Sequence, residues 1–139
     1  MPKKYLIDTC IWRDFYENRL SKSGKHLGGY ATELFMKVLN NRFVVLFSDL
    51  LINELMKDYS EEEVSNMLDI LFISNLLQKV DISEEDYTKA KEIAKQRNLP
   101  AGDVLHAIIA KKNCAILVSQ DKHFQELKDI AEVKLPEEI

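Results

Sequence analysis

Tyr5-Leu6-Ile7-Asp8-Thr9 is a short apolar run that stops at a carboxylate. Near the other end of the chain, Ala115-Ile116-Leu117-Val118-Ser119-Gln120-Asp121 repeats the plan. Between them, Phe43-Val44-Val45-Leu46-Phe47 is β-branched, aromatic and uninterrupted. Runs of this kind read as strands buried on both faces, the signature of a parallel sheet. A parallel sheet needs helical crossovers, and the intervening sequence supplies them. A helix is expected over 9–18. Ala31, Leu34, Phe35, Val38 and Leu39 recur at helical spacing and predict another over 27–41. Ser48 or Asp49 is placed to cap a helix carrying Leu51, Ile52, Leu55 and Tyr59. Ser60 with Glu63 forms a capping box ahead of Val64, Met67, Leu68, Leu71 and Phe72. Ser83 with Asp86 opens a helix carrying Tyr87, Ala90, Ile93 and Ala94, and Pro100 suits the first turn of the next, through 112. Val80 and Ile82 alternate with polar neighbours and predict a short strand. A short helix over 123–129 and an edge strand over 133–135 complete the chain. Strands interleaved with helices imply a parallel sheet covered on both faces, in one domain spanning 1–139.

At 139 residues the chain buries roughly two-thirds of its unfolded surface, so it folds without a disulfide or structural metal. Hydrophobic residues at 46% and charged residues at 30% exclude a disordered chain. Cys10 and Cys114 form no CxxC pair, which argues against a disulfide scaffold or a zinc site. No apolar run approaches a membrane span, and Met1-Pro2-Lys3-Lys4 leads into only Tyr5-Leu6-Ile7 before Asp8, unlike a signal peptide. A cytoplasmic protein is expected. The net charge of −4 lacks the basic surplus usual in nucleic-acid binders. Four carboxylates holding two divalent cations would cancel it.

Asp8 and Asp121 stand out by position, because ligands of open α/β sheets bind beyond the carboxyl ends of the strands. Either can equally cap the helix that follows. Glu54 flanks the Leu51–Leu55 stripe, with Asp58 four residues on. Asp103 lies in the first turn of its helix, where the dipole favours an acid. Ala107 and Ala110 follow it and suggest an open face of small residues beside the carboxylate. Acids without histidine or cysteine ligands suit Mg²⁺ or Mn²⁺ rather than Zn²⁺. Two such ions can activate a water and stabilise the leaving oxygen of a phosphodiester.

These residues carry a family resemblance. Leu6-Ile7-Asp8-Thr9-Cys10-Ile11-Trp12 resembles the opening strand of PIN-domain nucleases, and Ser48 through Glu54-Leu55 their second acidic motif. Pro100-Ala101-Gly102-Asp103-Val104-Leu105-His106-Ala107 resembles the third. Leu117-Val118-Ser119-Gln120-Asp121-Lys122-His123-Phe124 resembles the last, with a hydroxyl residue two before an acid. The compact size is similar to the VapC-type toxins of toxin–antitoxin pairs. The resemblance implies a three-layer α/β/α sandwich with a central, mostly parallel sheet. It implies Mg²⁺- or Mn²⁺-dependent endoribonuclease cleavage of RNA by a metal-activated water, a homodimer and an inhibitory protein antitoxin. It assigns Asp8, Glu54 and Asp103 as principal metal ligands and Asp121 as an accessory ligand supported by Ser119. Cys10 stands where a small polar residue is common, Gly102 where alanine is usual, and Ser119 where threonine is commoner.

Around these acids, His106 and His123 are candidates to contact phosphate or act as a general acid, with a packed or surface role as the alternative. Arg13, Lys57 and Lys122 are candidates for RNA phosphates, and Trp12 for stacking on a base or packing in the core. Two other functions compete. A phosphatase using Asp8 as nucleophile needs a second Asp two residues later, where Cys10 stands. A non-catalytic PIN-like interaction module typically loses acids that this chain retains.

Overall fold

The first apolar run becomes the middle strand of the sheet. The computed structural model describes residues 3–139; Met1 and Pro2, part of the N-terminal segment read above for a leader, lie outside the described residues. β1 (Lys4–Ile7) is the centre of a five-stranded sheet. β2 (Val44–Phe47) and β3 (Leu77–Lys79) lie to one side, β4 (Ile116–Val118) and β5 (Val133–Lys134) to the other. All four ladders are parallel, so the sheet carries no antiparallel exception. In register, Leu6 lies between Leu46 and Leu117, and Ile7 lies beside Val118. The chain builds outward on one side of β1, then returns to build on the other. Strand order therefore reverses at β1, where such sheets leave a crevice at the carboxyl ends.

Alternation along each strand divides the core into two layers. Tyr5, Ile7, Val45 and Val118 face α1 (Thr9–Glu17), α2 (Leu27–Asn41), α3 (Asp49–Leu55) and α4 (Glu61–Ile73). Leu6, Leu46 and Leu117 face α5 (Glu84–Arg97) and α6 (Ala101–Lys112). The result is an α/β/α sandwich with each inward strand residue nearly inaccessible. Both capping boxes form: Ser60 with Glu63 and Ser83 with Asp86 exchange backbone and side-chain bonds at 3.1 Å.

Several local expectations shift. The third strand is Leu77–Lys79 rather than a pair of residues at Val80 and Ile82. Val80 only closes the ladder, its N–H donating to Phe47 O at 2.8 Å. Its alternation with Ile82 reflects packing against the α5–α6 layer, not strand pairing. Pro100 precedes α6 instead of opening it. The helix expected over 123–129 is a 3₁₀ helix, Lys122–Leu127. Ser48 stands at the start of α3 without making a side-chain cap, and its Oγ is buried without a partner among the described residues. No helix among the described residues is long and apolar enough to cross a membrane.

Candidate active site

Asp8 follows β1 directly, its N–H donating to Val118 O at 2.9 Å. That bond extends the β1–β4 pairing by one residue and turns the carboxylate into the crevice region at the strand ends. Asp8 occupies the position of an N-cap for α1 but makes no side-chain cap bond. Instead Oδ2 accepts from Ser119 Oγ at 2.9 Å, and Ser119 Oγ in turn accepts from Asp121 N–H at 2.9 Å. One buried hydroxyl thus ties the loop after β1 to the loop after β4. Cys10 Sγ lies 3.5 Å from the same hydroxyl. Burial and then the Asp8 charge push its thiol well above the usual range. It stays protonated, so the inert reading of Cys10 is the one the geometry supports.

Glu54 sits in the last turn of α3 and is clamped from two sides. Thr9 Oγ1 donates to its Oε1 at 2.6 Å, and His106 Nε2 meets the same oxygen at 2.7 Å. His106 has no exposed surface at all. Burial acts to raise the Glu54 carboxyl, but the His106 hydrogen bond and charge, then the Thr9 hydroxyl, outweigh it and leave the net shift downward. For His106, burial acts to lower the imidazole. The Glu54 hydrogen bond and the charges of Asp8, Glu54 and Asp103 overcome it and raise it. The packed role of His106 therefore holds, and it holds a site carboxylate. Oε2 of Glu54 faces Gly102: a Cβ built there lies 2.9 Å from it. Glycine in place of the usual alanine gives this oxygen its room.

Asp103 and Asp121 approach from the other layer. Asp103, in the first turn of α6, has Oδ2 at 3.0 Å from His123 Nδ1. Asp121 does cap, its Oδ1 accepting from His123 N–H at 3.0 Å, with His123 Nδ1 a further contact at 3.3 Å. Burial pushes the Asp103 carboxyl up, and the Asp8 and Asp121 charges push it further, to about 6, against the opposing pull of His123. Like charges held close together raise one another's pKa in this way.

All four acids line one pocket, together with Thr9, Cys10, Arg13 and Lys57. Arg13 pairs with Asp58 at 2.7 Å and reaches the Glu54 carbonyl at 3.4 Å, so Asp58 acts through Arg13. Lys122 lies outside that lining. The open small-residue face expected beside Asp103 is absent: Ala107 and Ala110 are wholly buried, because they pack on the sheet in the α5–α6 core. Trp12 is also wholly buried against Phe35, with its indole N–H on Ile7 O at 3.2 Å, so it cannot stack on a base. Thr9 was not singled out from sequence; the only hint was its place directly after Asp8. His106 had one signal, its i+3 spacing from Asp103 on one helix face.

The donor set suits a divalent cation. Four carboxylates meet, one of them nine-tenths buried and one held up to about 6, and hard cations take such oxygens. The fold and site thus define an α/β sandwich with an acidic pocket at its strand-order reversal. The chain belongs to the PIN domain family, whose model matches residues 5–130. PIN domains are generally nucleases. No curated protein matches the sequence. The fold is similar to VapBC2 from Rickettsia felis bound to a promoter DNA fragment, at TM-score 0.65 and 19% identity over 95% of this chain and 98% of that one. It is also similar to a toxin–antitoxin complex from Klebsiella pneumoniae, at 0.63 and 15% over 95% and 97%. VapBC-1 from nontypeable Haemophilus influenzae matches at 0.63 and 20% over 96% and 98%.

Proposed function

We propose that the chain, acting as a single PIN-like domain, is a Mg²⁺- or Mn²⁺-dependent endoribonuclease and the toxin of a toxin–antitoxin pair. The observation that carries this reading is the convergence of Asp8, Glu54, Asp103 and Asp121, from four separate elements, in one pocket where strand order reverses. Asp8, Glu54 and Asp103 would hold the principal cation. When bound, that cation supplies Lewis acidity to a water and neutralises charge on the phosphodiester. Ser119 fixes the rotation of Asp8 through its hydroxyl, and Thr9 with His106 fixes Glu54. Both Glu54 bonds fall on Oε1, which leaves Oε2 for the cation. Asp121 is the accessory acid, which helps to hold a second cation or orients the attacking water. Arg13 and Lys57, the pocket's cations, receive the substrate phosphates.

The toxin reading rests on the likeness to toxin–antitoxin structures. A protein partner and a homodimer are consistent with the surface of α4, where Phe72 is 71% and Ile73 80% exposed. Apolar side chains of that size grouped on a surface favour being covered. The test is purified protein with RNA and Mn²⁺, wild type beside Asp8→Asn. Cleavage is expected to disappear in the variant; equal cleavage sinks the mechanism. Calorimetry with Mn²⁺ separates an enzyme from a non-catalytic module, which would bind none.

A further inference from the structure

We propose that His123 is a nitrogen ligand of a second cation position, formed with Asp103 and Asp121, and that it biases this position toward Mn²⁺ over Mg²⁺. This rests on the reading above that Asp8, Glu54 and Asp103 hold one divalent cation, and it makes Asp103 the ligand shared between two. The placement comes first. One ligand atom from each of Asp103, Asp121 and His123 lies within 4.8 Å of the others. The imidazole Nδ1 is lodged between two carboxylate oxygens, at 3.0 Å from Asp103 and 3.3 Å from Asp121. Neighbouring ligands of an octahedral cation with bonds of about 2.1 Å stand about 3.0 Å apart. The three donor atoms are therefore close enough together for one cation to reach all of them.

The ring is also held in place. His123 opens the 3₁₀ helix Lys122–Leu127, and its own N–H is bonded to the Asp121 carboxylate. The next residue, Phe124, is wholly buried and pins that turn to the α6 layer. Backbone and side chain of His123 thus address the same acid, which fixes the spacing of Nδ1 from Asp121. A plain surface ion pair has no such double attachment. The neighbouring charge argues the same way. Asp103 shares the pocket with Asp8 and Asp121, and His123 Nδ1 lies 3.0 Å from its carboxylate.

Ligand type then sets metal preference. Mg²⁺ takes oxygen and keeps its waters, whereas the first-row transition cations accept imidazole nitrogen, Mn²⁺ least among them. A position with two carboxylates and one imidazole is weaker for Mg²⁺ than an all-oxygen position would be. His123→Asp converts it to the latter. Because the His123 side chain is about half exposed, the change leaves the core untouched.

The experiment is pulsed electron paramagnetic resonance on the protein loaded with Mn²⁺, which detects nitrogen-14 coupled to the ion. Circular dichroism confirms that each variant is folded. Wild type is expected to show imidazole coupling, His123→Gln to lose it, and His106→Gln to keep it. Calorimetry is expected to show the weaker Mn²⁺ equivalent falling at least about tenfold in affinity in His123→Gln. In His123→Asp, the Mn²⁺-to-Mg²⁺ affinity ratio is expected to fall. Mn²⁺ binding without nitrogen coupling, or coupling that persists in His123→Gln, overturns the assignment and leaves the proposed function standing. Absence of any Mn²⁺ binding overturns both.

Discussion

Replacing His106 by leucine removes the wholly inaccessible donor to Glu54 while nearly conserving volume. A hydrogen bond to a charged partner contributes about 1.5–3 kcal/mol. The lower end applies here. Glu54 keeps Thr9 and a side chain 23% exposed to water, and the orphaned Nδ1 of His106 goes with the ring. The expected loss is about 1.5 kcal/mol. With an unfolding entropy of roughly 2.1 cal/mol/K per residue, a chain of 139 residues loses about 5 °C in Tm. The pH dependence has a definite sign. The folded pKa of Glu54 is lowered, so its contribution is present above its unfolded value of about 4.3 and lost as pH falls through the folded one. That of His106 is raised, so its contribution is present below its unfolded value of about 6.5 and lost as pH rises through the folded one. The gap between wild type and His106→Leu is therefore widest between about pH 4.3 and 6.5 and narrows on both sides. Urea unfolding of metal-free protein from pH 4 to 9 measures it. A gap that is flat with pH, or a variant as stable as wild type throughout, refutes the clamp.

Asp103→Asn is expected to stabilise the metal-free protein while abolishing RNA cleavage. The folded pKa of Asp103 is raised to about 6, so the folded state holds its proton longer than the unfolded chain does, and stability falls as pH rises from about 4 to 6. Discounted for partial exposure, the gain above that window is about 2 kcal/mol by urea unfolding, and a less stable variant at pH 8 contradicts it. Gly102→Ala adds about 1 kcal/mol of helix propensity but crowds Glu54 Oε2, so calorimetry is expected to find little change in stability and several-fold weaker Mn²⁺ binding. Unchanged affinity would show that the carboxylate yields freely. Ser119→Ala is expected to slow RNA cleavage about tenfold at saturating Mn²⁺, the equivalent of one lost hydrogen bond to Asp8, and wild-type rates would deny Ser119 that role.

Much of the fold was legible because burial on both faces writes itself as unbroken apolar runs. Tyr5 to Ile7 and Phe43 to Phe47 declared their strands, and the serine–acid pairs at Ser60 and Ser83 declared where helices begin. Val80 misled because a residue just past a strand packs like one within it. Ala107 and Ala110 misled because small residues describe close helix–sheet packing as readily as open space. In the pocket, the acids were legible at strand ends and by motif, but their supports were not. Whether His106 meets Glu54 depends on α3 and α6 crossing the same end of the sheet, and no spacing within either helix encodes that. Asp8 and Asp121 looked alike in sequence, yet only Asp121 caps, while Asp8 accepts from Ser119 across the sheet.

The bond from Ser119 to Asp8 spans 111 residues and joins the first strand to the fourth. During synthesis β1 emerges early, yet its β4 neighbour and the hydroxyl that sets Asp8 arrive only when most of the chain has followed. Glu54 waits similarly for His106. The four carboxylates therefore meet in one pocket only once β4 and the loop after it have joined the sheet.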